Sequence, residues 1–172
     1  MTAEVFAADL ELERSPALRE QACRFLIQCG FALAEAESWD RLEDQKLGVD
    51  AIAYRDRHAY RVGFKFRDSS KTTKYSDEVT VETISDEQGT LGDLYKSHMD
   101  LYVYGFANPD WTGFTRLVMV NFQGLRFAYL ASQLAPCDER KNEKHGSARF
   151  LAFALPDLRR LGLIVHEWGL PQ

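Results

Sequence analysis

Asp50 and Lys65 are the residues of this chain whose types and spacing can do chemistry together. Val49 to Tyr54 predicts a short strand, Arg55-Asp56-Arg57-His58 a polar turn, and Ala59 to Arg67 a second strand. Alternation along that second strand sends Tyr60, Val62, Phe64 and Phe66 one way and Arg61, Gly63, Lys65 and Arg67 the other. A hairpin then delivers a carboxylate from one strand and a lysine from the next. That pairing suits metal-dependent phosphodiester hydrolysis. A metal ion stabilises developing charge and activates water. Mg²⁺ is content with one or two carboxylates and several waters. A neighbouring lysine orients the nucleophile and stabilises the transition state.

Several elements must hold this hairpin in place. Ser15-Pro16 is a helix start, with Ser as N-cap and Pro in the first turn. Leu18, Ala22, Phe25, Leu26 and Cys29 form one apolar helical face, and Gly30 ends the helix. Phe31 to Ala34 reads as strand or connector, Trp39 to Lys46 as a polar loop, and Asp68 to Ser76 as a flexible loop. Glu78 to Glu82 alternates as a strand whose polar face carries Glu78, Thr80 and Glu82. A short helix is expected around Leu91 to His98, with strands at Leu101–Phe106 and Arg116–Phe122. A helix is expected from Leu125 to Leu134 and a charged loop from Asp138 to Gly146. Phe150 to Leu155 reads as a strand, Pro156 to Leu161 as a short helix, and Leu163 to Trp168 as a last strand. The sum is one α/β domain over residues 1–172, a sandwich of roughly five to seven strands with helices on both sides.

Composition narrows the function classes. The 172 residues are 45% hydrophobic and 27% charged, as in a globular soluble protein. No run of eighteen apolar residues exists, so no membrane-spanning helix is expected, and the first residues lack the pattern of a secretory signal. The three cysteines, Cys23, Cys29 and Cys137, show no CxxC spacing, which argues against a disulfide framework or zinc site and for a reducing cytoplasm. Net charge is −5, yet Arg55 to Lys74 holds seven basic residues against two acidic ones. That basic strip on an acidic body can steer a polyanion to one place.

The segments Asp44-Gln45-Lys46-Leu47-Gly48-Val49-Asp50 and Arg61-Val62-Gly63-Phe64-Lys65-Phe66-Arg67 resemble the catalytic core of the PD-(D/E)XK superfamily, the restriction-endonuclease-like phosphodiesterases. The resemblance covers roughly residues 40–107. It implies a restriction-endonuclease-like mixed β-sheet flanked by helices, Mg²⁺ (or Mn²⁺) as cofactor, and nucleic acid, DNA above RNA, as partner. A homodimer and a phage or mobile-element setting are compatible with it. Asp50 matches the metal-binding Asp and Lys65 the lysine. Gly63 departs from the pattern, because the second acid belongs there. The resemblance permits that acid to migrate. Glu82 is then the first candidate for catalytic acid and second metal ligand, with Asp68, Glu78 and Asp44 behind it. Arg61, Arg67, Lys71 and Lys74 become candidate nucleic-acid contacts.

Plainer readings stand beside these. Asp50 could start a strand from a Gly48 turn, and Lys65 and Arg67 could be solvent-facing strand residues. Gly63 could mark a bulge or a close backbone approach. Glu82 could be a cross-strand ion-pair partner. Tyr54, Tyr60, Tyr102 and Tyr104 could stack bases, but alternating strands bury such rings in cores. His98 with Asp100, and His166 with Glu167, lack a third metal ligand at a recognisable spacing. The alternative function is a catalytically degenerate nuclease-fold protein that binds nucleic acid or a protein partner.

Overall fold

The computed structural model describes residues 15–34, 48–68, 77–141 and 147–169. Helix α1 (Pro16–Gln28) starts where expected: Ser15 caps it, its hydroxyl accepting from the Leu18 amide at 3.5 Å. It stops in a Schellman arrangement, with Phe31 N donating to Leu26 O and Gly30 N to Ile27 O. Gly30 sits at φ +87°, a backbone conformation few other residues adopt. Leu18, Ala22, Phe25 and Leu26 are buried along one face, and truncating either leucine to alanine would cost about 2–5 kcal/mol.

A six-stranded sheet runs in the order β1-β2-β3-β5-β6-β9. Its strands are β1 (Ala32–Leu33), β2 (Ala51–Arg55), β3 (His58–Asp68), β5 (Leu101–Ala107), β6 (Phe114–Asn121) and β9 (Ile164–Trp168). Every neighbouring pair is antiparallel except β3 with β5, which is parallel. The β2–β3 turn is tight, with Asp56 and Arg57 both at positive φ (51° and 66°), as a two-residue hairpin of matching twist requires.

A second sheet, β4-β8-β7, comprises β4 (Glu78–Ile84), β7 (Asp138–Lys141) and β8 (Arg149–Ala154). The short helices are α2 (Asp93–Lys96), α3 (Phe122–Leu130) and α4 (Leu155–Arg160). One core lies between the large sheet and α1, built on Leu18, Leu26, Val62, Phe66, Val103 and Met119. The other joins the opposite face to β4, β8 and helices α2 to α4, through Val79, Val81, Leu94, Tyr102, Tyr104 and Phe153.

Strands β2 and β9 have three strands between them, yet Arg55 Nη1 lies 3.5 Å from His166 Nε2. The large sheet therefore curls around α1, and Arg55 crosses the helix C-terminus over the Phe31 ring at 4.8 Å.

Four expectations are corrected. Asp138 to Lys141 form a strand rather than a loop, because β8 offers them a free edge. The helix expected at Leu125 begins at Phe122, since the Asn121 side chain caps it by accepting from Gly124 N at 2.9 Å; it also ends earlier, at Leu130. The helix around Leu91 to His98 shrinks to Asp93–Lys96. The strands number nine among the described residues, in two sheets. The readings of Trp39 to Lys46, of the Asp68 to Ser76 loop beyond Asp68, and of Lys71 and Lys74 lie outside the described residues. No helix among the described residues is long and apolar enough to cross a membrane.

Candidate functional site

The polar stripe of β3 meets the polar stripe of β4. Tyr60, Val62, Phe64 and Phe66 point at α1, as alternation requires. Arg67 points the other way and donates to Tyr104 Oη at 2.8 Å and to Thr80 Oγ1 at 2.5 Å. One step back on β3 and one step on along β4, the half-buried Lys65 and Glu82 interact electrostatically. Lys65 and Glu82 thus lie within electrostatic range of one another, although they belong to different sheets.

Glu82 is held by a hydrogen bond from Ser85 Oγ, 2.7 Å to Oε2. Burial pushes its carboxyl above the ordinary range. The Ser85 hydrogen bond, Lys65 and Lys96 act against that shift, and the Asp93 charge adds to it.

Asp50 sits at the entrance to β2. Its Oδ2 accepts from the Phe64 amide at 2.6 Å, and its Oδ1 from Arg19 Nη2 at 3.1 Å. Phe64 directly precedes Lys65, so the Asp50 carboxylate is fixed against the strand segment that carries the lysine.

Gly63 is a close-approach glycine rather than a bulge. A Cβ at this position would lie 2.8 Å from Met99 Sδ and 3.0 Å from the Gly48 carbonyl oxygen. A second acid at this position has no room, for a reason unrelated to chemistry. Gly48 is itself at φ +62°, and a Cβ there would meet Ser97 Oγ at 3.0 Å and Asp93 Oδ1 at 3.2 Å. Gly92 lets α2 start against Glu82, whose carbonyl would be 2.7 Å from a Cβ. Three glycines therefore let the entrance to β2, strand β3 and helix α2 converge beside Glu82.

Other candidates lie elsewhere. Glu78 is paired with Arg140 across sheet β4-β8-β7, with Arg140 Nη2 at 2.9 Å from Oε2. Asp44 is outside the described residues, and Asp68 ends β3 with its side chain undescribed. Arg61 is gripped by Asp100, which accepts from its backbone N at 2.8 Å and from Nε at 3.1 Å. His166 meets Arg55, and Glu167 pairs with Arg116 and Arg159. Tyr102 and Tyr104 are core residues, Tyr60 packs edge-on against Phe31, and Tyr54 is exposed. All three cysteines are free thiols.

Sequence reasoning did not find Arg19, Ser85, Asp93 or Lys96. Nothing in their local spacing marks them, because each reaches the site from another element.

Asp50 and Glu82 offer only carboxylate oxygens, hard donors of the kind Mg²⁺ or Mn²⁺ takes. Among the described residues no group of three or more His, Cys, Asp or Glu is arranged to hold a metal ion. The described contacts join the Asp50 carboxylate to Arg19 and the Phe64 amide, and that of Glu82 to Ser85, Asp93, Lys65 and Lys96; none of them joins the two carboxylates. Comparison of the chain with protein-family models, curated proteins and solved structures gives no match.

Proposed function

We propose that this chain is a metal-dependent nucleic-acid phosphodiesterase of the PD-(D/E)XK type in which Glu82 replaces the acid missing at position 63. One observation carries the reading. Glu82, delivered by β4, lies within electrostatic range of Lys65, while Met99 fills the side-chain place at Gly63. The acid-and-lysine pair is thus supplied in space where the strand sequence does not supply it. The hairpin β2–β3, the helix α1 packed on its apolar face and the parallel strand β5 beside β3 suit the same fold.

In this reading Asp50 and Glu82 would hold Mg²⁺ or Mn²⁺, which supplies charge stabilisation and an activated water. Lys65 holds the attacking water in line and donates to the phosphoryl oxygen as charge develops. Arg19 and the Phe64 amide fix the Asp50 carboxylate. Ser85 fixes that of Glu82. Arg67 holds the β3 and β4 stripes in register through Thr80 and Tyr104, a positioning role rather than the direct phosphate contact expected for it.

The test is Mn²⁺ calorimetry followed by cleavage assays on single- and double-stranded DNA and RNA. Metal binding and cleavage both lost in Glu82→Ala, and cleavage alone lost in Lys65→Ala, would support the reading. Wild-type protein that leaves every substrate intact with Mg²⁺ and with Mn²⁺ sinks it. The Arg19–Asp50 ion pair favours a second reading, a protein of this fold that binds nucleic acid without cutting it. Salt-dependent retention of DNA without cleavage is its signature.

A further inference from the structure

We propose that the cavity between α1 and β9 is a binding site for a nucleobase, an uncharged planar ring with hydrogen-bonding edges. The inference stands apart from the phosphodiesterase reading. The cavity lies on the α1 side of the large sheet, whereas Lys65 points to the other side, toward Glu82.

Strand pairing builds one wall. Trp168 stands opposite Leu117 across β6 and β9, so its indole rises on the face that packs on α1. Gly169 then presses the chain onto β6. Its φ is +81°, and a Cβ there would lie 2.2 Å from the Thr115 carbonyl oxygen. Trp168 is thereby fixed at the sheet edge with 51% of its surface open. The helix builds the other wall. Gln21, Arg24 and Gln28 are spaced three and four residues apart and share one flank of α1. The buried Phe25 and Leu117 form the floor. The space measures about 180 Å³, less than a drug-sized ligand fills, and suits a single ring system.

The lining selects the kind of ring. Among the described residues Arg24 is the only charged member of the lining, and Glu20 pairs with it at 2.6 Å. The site is therefore formally neutral and favours an uncharged ligand. The indole offers a stacking face beside an apolar floor, which a flat aromatic ring uses best. Gln21 is anchored, its Nε2 donating to Thr112 O at 2.6 Å, and Gly113 leaves room for its amide. Gln28 makes no side-chain hydrogen bond among the described residues, so its amide keeps its donors and its acceptor for a ligand. A carboxamide matches the edge of a base, which also donates and accepts; adenine takes one through two hydrogen bonds. A hydrocarbon ring offers no such edge.

The experiment is titration of adenosine, cytidine and uridine, at millimolar concentration, into the isotope-labelled full chain, with indole as the control ring. The indole N–H resonance of Trp168, identified by its loss in Trp168→Leu, should shift on adding nucleoside. Affinities are read from backbone amide shifts in α1. Trp168→Ala should weaken binding about 5–100-fold, the loss of one stacking contact, and Gln28→Leu about 3–10-fold. Trp168→Phe keeps a stacking face and should retain part of the affinity. Both side chains are exposed, so melting temperatures should stay near wild type. No shift with any of the three nucleosides overturns the proposal. Shifts that survive Trp168→Ala place the nucleoside elsewhere and overturn it too. Indole that binds as tightly as adenosine, with adenosine indifferent to Gln28→Leu, reveals a plain apolar cavity and overturns the nucleobase.

Discussion

Met99 Sδ lies where the side chain of residue 63 would begin, 2.8 Å from a Cβ built on Gly63. The thioether is flexible and can yield, but the Gly48 carbonyl at 3.0 Å belongs to the backbone and yields less. Restoring the missing acid by Gly63→Glu should therefore destabilise the protein, by about 1–3 kcal/mol. Thermal melts should show a drop of roughly 3–10 °C. Combining it with Met99→Ala should recover part of that loss. A Gly63→Glu protein that melts like the wild type would show that the place is not filled.

Asp50 gives the cleanest separation of metal binding from folding. Asp50→Asn keeps an acceptor for the Phe64 amide and removes the negative charge. It should melt within a few degrees of wild type and show no calorimetric Mn²⁺ signal. Asp50→Ala strands that amide and the Arg19 guanidinium, at about 1–3 kcal/mol. Equal Mn²⁺ binding by wild type and Asp50→Asn would remove Asp50 from the metal site.

Glu82 should make the protein less stable as pH rises. Its carboxyl is raised by burial, so the folded state holds its proton at a pH where the unfolded chain has released it. That contribution is fully present below the ordinary glutamate range and is lost as pH climbs through the raised value. Glu82→Gln should remove this decline. Melting temperatures of the two proteins at matched pH, from acid to neutral, would show it. Parallel curves would mean that Glu82 titrates normally.

Glu167 should behave in the opposite sense. Burial acts to raise its carboxyl, but hydrogen bonds from Arg159 and Arg116 outweigh it and hold it below the ordinary range. Its stabilisation is present above that range and is lost as pH falls through the lowered value. Arg116 is only 4% exposed and is shared between Glu167 and Asp77. Glu167→Gln should cost roughly 2–3 kcal/mol at neutral pH, less than for a fully broken buried pair because Asp77 remains. The cost should shrink in acid. Denaturant melts at two pH values measure both.

The sequence by itself determined what depends on neighbours along the chain. Ser15-Pro16 and Gly30 set the limits of α1, since caps and positive φ are local matters. Alternation in Tyr60 to Arg67 put the apolar side chains toward α1 and Lys65 on the polar face, since successive strand residues must point oppositely. The hairpin that carries Asp50 and Lys65 followed from the same period. Only the tertiary structure decided the rest. Met99, thirty-six positions along, fills the space at Gly63, and no local rule ties those residues together. Asp138 to Lys141 read as a charged loop, because short exposed strands carry no apolar signal, and β8 made them a strand. Lys96 and Ser85 come to Glu82 because Gly92 lets a helix touch a strand. Close approaches between distant backbones depend on what packs against what, and a glycine in a sequence marks the opening without naming the neighbour that enters it.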